Sequence, residues 1–361
     1  MSARLMSVSG LGPKEPAAFV VEANGRRLLL DCGAGPEPGR LPDFAAIGRI
    51  DAVILSHGHN DHAGALQFRE RIGSPPIFAT EPVARRLPQE VATQSIPSRG
   101  RASVLGIAIE TGVDGHAPGG VWLKLAVGAG LLYMGDHSVE SAVYAFDPPP
   151  ATATMIFDAS YGDAEATQEP QRAALAELAG QGPLLLPVPA DGRGPEIAVF
   201  LQGVGFDVAI DDAVRAAATL LTQAGRASAK PESIPALERL LRDARPLDAA
   251  APPQGVMVAH GGSGDTGIAA KLLARWRDAR EPAIVFTGHL PAGTAGRALV
   301  DNGRAGFRRW NVHPTLSQNM QLIARVDPHR VIPAFGDTRF YPLWRERLTP
   351  REVLTSRFVE L

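Results

Sequence analysis

Asp51-Ala52-Val53-Ile54-Leu55-Ser56-His57-Gly58-His59-Asn60-Asp61-His62 joins an apolar run directly to a cluster of metal-ligand side chains. Residues 51–55 read as a buried strand, and the apolar run stops abruptly at Ser56. His57, His59, Asp61 and His62 then fall within six positions. On a helix these side chains would spread around the cylinder, whereas in a tight loop at the carboxyl end of a strand all four can converge on one point. Imidazole nitrogen and carboxylate oxygen together suit a borderline cation such as Zn²⁺, and a catalytic site of this kind keeps a position open for water. The competing reading is a solvated turn that is rich in histidine by chance, and it fits poorly with four ligand types set directly behind an apolar strand.

Outward from this loop, residues 17–22 and 27–31 are short β-rich runs separated by Asn24-Gly25, which predicts a hairpin at the amino terminus. Residues 63–71 read as a helix. Strands are predicted at 121–126, 130–134 and 155–157, the last two each followed within two positions by an acid, Asp136 and Asp158. From about residue 165 helical patterns (168–178, 195–203, 234–242, 269–278) alternate with strand patterns (183–187, 256–259, 283–286), the signature of a parallel sheet. A strand at 330–333 and a closing segment at 356–360 complete the pattern.

At about 100–200 residues per domain, 361 residues predict roughly two domains. A composition of 45% apolar and 20% charged residues excludes disorder. Net charge is −2, from 36 basic and 38 acidic residues, so any nucleic-acid contact has to be a local groove and not a global field. Only four of the basic residues are lysines. An arginine-supplied surface suits bidentate contact with phosphate or carboxylate, and a compositional bias of the genome accounts for it equally well. The single cysteine, Cys32, rules out an intramolecular disulfide and a cysteine-based zinc knuckle, so metals must sit on His, Asp or Glu. No basic-then-apolar leader pattern opens the chain and no apolar run approaches 18 residues, from which a soluble cytoplasmic protein without membrane contact is expected.

The His-x-His-x-Asp-His run after a strand resembles the signature of the metallo-β-lactamase superfamily, an α/β fold in which an αββα sandwich carries its metal site at one edge of two packed sheets. The similarity covers roughly residues 5–160 and includes Asp31 at the end of the second strand, His116 in Asp114-Gly115-His116-Ala117-Pro118-Gly119, and Asp136 in Tyr133-Met134-Gly135-Asp136. The resemblance implies that His57, His59 and His116 hold a first metal, Asp61 and His62 a second, and that Asp136 bridges them. One or two zinc ions are implied, with manganese or iron compatible with the same ligand types. Asp31 is expected behind the ligands, hydrogen-bonding the loop and orienting it. His137 follows the bridging aspartate, and because neighbours on a strand end point to opposite sides it is expected to be structural.

Later segments resemble the β-CASP branch, whose members cleave RNA or DNA. The branch's acidic motif is matched by Phe157-Asp158-Ala159-Ser160-Tyr161-Gly162, and the start of its inserted cap by Gly192-Arg193-Gly194-Pro195-Glu196. The cap's last strand and turn are matched by Ile284-Val285-Phe286-Thr287-Gly288-His289 with Gly293-Thr294-Ala295-Gly296-Arg297, and its second catalytic histidine by His313. This implies a core in two parts, residues 1–165 and 311–361, around an inserted α/β cap at 166–310. One departure stands out. Phe335, in Pro333-Ala334-Phe335-Gly336-Asp337, occupies the place of a histidine that ligates the second metal; it cannot coordinate, and Asp337 is two residues off.

The implied chemistry is hydrolysis by a metal-activated hydroxide, with Asp61, His313 and Asp158 as the catalytic group: His313 protonates the leaving group and Asp158 orients it. Arg193, Arg297 and His289 are expected substrate contacts, with a solvated surface as the alternative for each; His260 is treated in the same way, and His329 is expected at the surface. Gly262-Ser263-Gly264-Asp265-Thr266-Gly267 fits a dinucleotide fingerprint, but the next strand ends in Thr287-Gly288-His289 without the acid that a ribose hydroxyl requires. The expected function is therefore a metal-dependent phosphodiesterase or nuclease acting on single-stranded RNA or DNA, RNA favoured. A hydrolase of a small ester or lactone, or a catalytically degenerate member, is the alternative.

Overall fold

The computed structural model describes residues 3–13 and 15–361. Contacts divide the chain into two compact units. One comprises the described residues of Met1–Val139 with Tyr144–Glu165 and His313–Leu361; the other is Glu140–Val143 with Ala166–Val312.

Among its described residues the first unit contains two seven-stranded sheets. In the first, the order is Phe358–Glu360, Arg4–Ser9, Ala18–Ala23, Arg26–Leu30, Ala52–Ile54, Ile77–Ala79 and Thr93–Ser95. In the second it is Glu352–Val353, Arg330–Ala334, Thr154–Asp158, Leu131–Tyr133, Val121–Leu125, Ile107–Val113 and Gly100–Val104. The period of two along a strand explains the layering. Phe19 and Val21, with Leu28, Leu30 and Ile54, meet Leu123, Leu125, Leu131, Tyr133 and Ile156 between the sheets. Ala18, Val20 and Leu29 face the other way, onto Phe44, Ile47, Leu66 and Ile72. On the second sheet Leu132, Met155 and Phe157 likewise face Ile323, Val326, Trp344 and Leu348. Each sheet is thus apolar on both faces and needs a helical cover, which produces the αββα sandwich. Burying a side chain of this size contributes about 1.5–3 kcal/mol relative to leaving it exposed.

The hairpin at Asn24-Gly25 forms as expected, with Ala23 opposite Arg26 and both turn residues at positive φ (53° and 70°), as a type I′ turn demands. It is not the first element, however. Arg4–Ser9 precedes it and pairs with Ala18–Ala23, so the amino terminus is a three-strand meander. Ser7 and Ser9, with a register shift between them, obscure that strand's alternation. Phe358–Glu360 pairs with the far side of the same strand and closes the sheet. Residues 63–71 also depart from expectation: a single α-turn, Asn60–Ala63, runs into a 3₁₀ segment, Gly64–Ile72, broken at Phe68. The reason is a contact with a distant part of the chain. The Ala65 N–H donates to Cys32 O (2.9 Å) and so is withdrawn from an α-helical ladder.

The second unit is a six-stranded sheet in the order Arg245–Pro246, Val208–Ile210, Val256–His260, Leu184–Val188, Ala283–Phe286, Gly306–Phe307, parallel throughout. Val208–Ile210 and the helix Asp212–Thr222 escape the sequence reading because the strand is only three residues long. Their junction is nevertheless marked by Asp211, whose carboxylate accepts the Val214 N–H as a helix cap (2.9 Å). The glycine loop 262–267 packs within its own unit: Gly296 N–H donates to Ser263 O (2.8 Å), and the Asp265 carboxylate accepts the Ala295 N–H (3.0 Å).

Candidate metal centre

The histidine loop leaves the end of Ala52–Ile54, which lies between Arg26–Leu30 and Ile77–Ala79 in parallel register. Backbone hydrogen bonds lock it to the end of its neighbour: Cys32 N–H to His62 O, Ala17 N–H to Asp61 O and Ala34 N–H to Asn60 O, all 2.8 Å. Such an approach needs glycine at position 33, since a Cβ there would lie 1.7 Å from Asp61 O. The two sheets also meet here, where Val121 N–H donates to Ser56 O (2.9 Å) and the Thr80 hydroxyl to Gly119 O (2.7 Å). His116, on the turn just before Val121, is set by Asp114, whose carboxylate accepts the His116 N–H (2.8 Å).

These constraints bring the side chains together. His59 Nδ1 lies 3.1 Å from His57 Nε2 and 3.0 Å from His116 Nε2, and Asp136 Oδ2 lies 3.8 and 3.5 Å from the same two nitrogens. Metal–nitrogen bonds of about 2.0–2.1 Å in a tetrahedron place donors roughly 3.3–3.4 Å apart, so this spacing and donor set fit a divalent metal. The other carboxylate oxygen, Asp136 Oδ1, is 3.2 Å from His62 Nε2, and Asp61 joins those two residues as a second group. A third group links Asp136 to His313 Nδ1 (3.8 Å), which is itself 2.7 Å from Asp158 Oδ2.

Next to the His/Asp groups lies Asp31, fully buried. It accepts from Ser56 N–H (2.7 Å), the Ser56 hydroxyl (2.6 Å), the Tyr133 hydroxyl (2.5 Å) and His62 Nδ1 (2.7 Å). With Nδ1 committed to Asp31, His62 turns Nε2 toward Asp136. Ser56 and Tyr133 were not singled out from sequence. The available signal was a phenol inside the apolar stretch 131–134, since a buried tyrosine hydroxyl needs a partner. Asp31→Ala strands four buried donors on three residues and is expected to cost about 3–5 kcal/mol. Equilibrium denaturation checks this, with Asp31→Asn falling between the variant and the parent.

Protonation follows from the same geometry. Burial first, then the neighbouring histidines, hold His57 well below the usual histidine range, so it presents the lone pair that a metal takes. Burial opposes charge on His62 too, but Asp136 and Asp31 outweigh it and raise its pKa. Asp158 is pushed up by burial and pulled down further by His313 and by hydrogen bonds from His313 and Ser160, leaving it ionised.

Comparison with protein families places this arrangement. The metallo-beta-lactamase superfamily model matches residues 11–173, a span that includes the histidine loop, His116 and Asp136. Residues 11–173 form a metallo-beta-lactamase superfamily domain. Cleavage and polyadenylation specificity factor subunit 2 from Oryza sativa subsp. japonica is 28% identical over 247 residues, covering 56% of this chain and 34% of that protein. Ribonuclease TTHA0252 from Thermus thermophilus is 29% identical over 231 residues, 52% of each chain. The chain thus spans about a third to a half of these relatives' length. Among solved structures, the crystal structure of a protein of unknown function from Enterococcus faecalis V583 superposes over both whole chains with a TM-score of 0.60 at 15% identity, a likeness of fold.

Within the metallo-beta-lactamase domain His137 is fully buried, its ring stacked on Phe146 (6.0 Å), and neither ring nitrogen has a hydrogen-bond partner among the described residues. Burial lowers its pKa to about 4. The unfolded chain, with histidine near 6.5, binds the proton first, so stability is retained above about pH 6.5 and lost as pH falls toward 4, by about 3 kcal/mol. His137→Leu is expected to remove that loss, read as the difference in denaturation free energy between pH 7 and pH 4.5. Phe335 packs its ring against His62 (centroids 5.1 Å apart) and Phe19 (6.1 Å).

The three expected substrate contacts lie in the second unit, and none belongs to the His/Asp groups. Arg193 opens the helix Arg193–Val204 with its guanidinium laid on Gly288, where a Cβ would be 1.6 Å away. Arg297 is exposed and paired with Asp301 one turn on (3.0 Å). His289 is exposed on the loop after Ala283–Phe286, and His329 is exposed in the first unit. No helix among the described residues is long and apolar enough to cross a membrane.

Proposed function

We propose that the chain is a metal-dependent hydrolase of the β-CASP-like type, a phosphodiesterase acting on single-stranded nucleic acid, with RNA preferred. The observation that carries this reading is Asp136. One of its oxygens faces three imidazoles, the other faces His62, and the Asp158–His313 pair stands beside it. In this reading His57, His59, His116 and Asp136 hold the first ion, and Asp61 and His62 share Asp136 for the second. A bound divalent metal, zinc by ligand type, supplies Lewis acidity at the scissile phosphoryl group and acidifies water at neutral pH.

The chain's own groups do the rest. Ionised Asp158 holds one proton of His313 on Nδ1, which orients the ring and favours its doubly protonated form, and the second proton, on Nε2, is the one that passes to the leaving oxygen, returning the ring to the neutral Nδ1–H form. Arg193 and Arg297 are proposed phosphate contacts and His289 a substrate contact. The nuclease-related names of the relatives support a nucleic-acid substrate.

The test is cleavage of end-labelled single-stranded RNA and DNA by metal-reconstituted protein, with His59→Ala as control for contaminating nuclease. Cleavage by the parent alone supports the reading, and its absence under several metals overturns it. The net charge of −2 favours a small ester or lactone as the second reading. Binding that weakens steeply with salt excludes that alternative, because each neutralised phosphate releases counterions.

A further inference from the structure

We propose that the two metal positions are unequal in kind: the one formed by His57, His59, His116 and Asp136 holds one divalent ion tightly, and the one formed by Asp61, His62 and Asp136 takes a second only weakly, because the neighbouring Phe335, packed on His62, supplies no donor to it. The inference rests on the metal-hydrolase reading above and concerns the stoichiometry of the same site.

Three observations carry it. The donor sets differ in number and chemistry, three imidazoles and a carboxylate against one imidazole and two carboxylates, with Asp136 common to both. The first set suits zinc, whereas the second is oxygen-rich and suits harder cations. Next, the phenyl edge lies against the His62 ring at an interplanar angle of 64°. A hydrocarbon beside His62 offers no lone pair, so the second group stays at its three protein donors.

Lastly, Phe335 is held in place. It is 9% exposed, packs on Phe19, donates its N–H to Gly10 O (2.7 Å) and sits at φ +64°. The following residue is equally confined, since a Cβ at Gly336 would lie 2.5 Å from Ala159 O.

The experiment is zinc titration of the metal-free full chain by calorimetry, with elemental analysis after desalting. One zinc retained per chain is expected, with a second dissociation constant about 100-fold or more above the first; loss of even an outer partner of a ligand costs 10–100-fold. Phe335→His is expected to raise the retained count to two. Phe335→Asn, which tolerates the same left-handed backbone and offers an oxygen, serves if the histidine variant does not fold. Two zinc ions of equal affinity in the parent overturn the inference, as does a folded variant that still retains one. A folded parent that binds no divalent ion at all overturns the underlying metal reading instead.

Discussion

Asp136→Ala is expected to abolish metal retention and hydrolysis together. The residue offers one oxygen to the His57, His59 and His116 group and the other to His62, so its loss removes a donor from both positions at once. It also leaves His62 with Asp31 as its one carboxylate partner among the described ion pairs. No other side chain in the cluster is shared in this way, since Asp61 belongs only to the second group and the three imidazoles only to the first. The expected effect is a retained metal content near zero and a rate fall of at least about 10³-fold, the scale at which electrostatic stabilisation by a single group is lost. Elemental analysis beside turnover decides it. A variant that keeps its metal while losing activity would assign Asp136 to proton transfer instead.

His313→Ala gives the complementary pattern, with metal content unchanged and turnover lowered about 10²–10⁴-fold, the contribution of a positioned general acid. The separation follows from the geometry. His313 Nδ1 is 2.7 Å from Asp158 and 3.8 Å from Asp136, so its stronger tie is to a carboxylate outside both main ligand groups. A substrate with a better leaving group recovers much of the loss if His313 is the proton donor, and none of it if the histidine only shapes the pocket. Metal loss on this substitution would place His313 among the ligands.

The histidine loop was legible because all its metal-ligand-type residues fall within six positions, so that one strand end positions four side chains and no long-range pairing has to be inferred. His116 and Asp136 lie far along the chain, and only a resemblance to a known pattern joined them to it. What sequence concealed was the scaffold behind the site. Asp31 was read as supporting, but Ser56 and Tyr133, which complete its hydrogen bonds, carry no local mark beyond a buried phenol. The first strand was missed for a related reason: Arg4–Ser9 alternates poorly because of its serines and its bulge, and its place is dictated by a partner at the other end of the chain. The 3₁₀ character of Gly64–Ile72 is likewise a tertiary effect, since the competing acceptor, Cys32 O, is more than thirty residues upstream.

That strand also sets a timetable. The sandwich draws its outermost pairing from Arg4–Met6 and Phe358–Glu360, whereas every strand of the parallel sheet lies between Leu184 and Phe307. At ribosomal speeds of about 5–20 residues per second, the first strand waits tens of seconds for its outer neighbour. The parallel sheet has all its partners well before then. Nascent chains halted after Phe307 should therefore show a protease-resistant second unit beside a first unit whose sheet is still open along Arg4–Ser9. Such an edge is a template for strand exchange between neighbouring nascent chains.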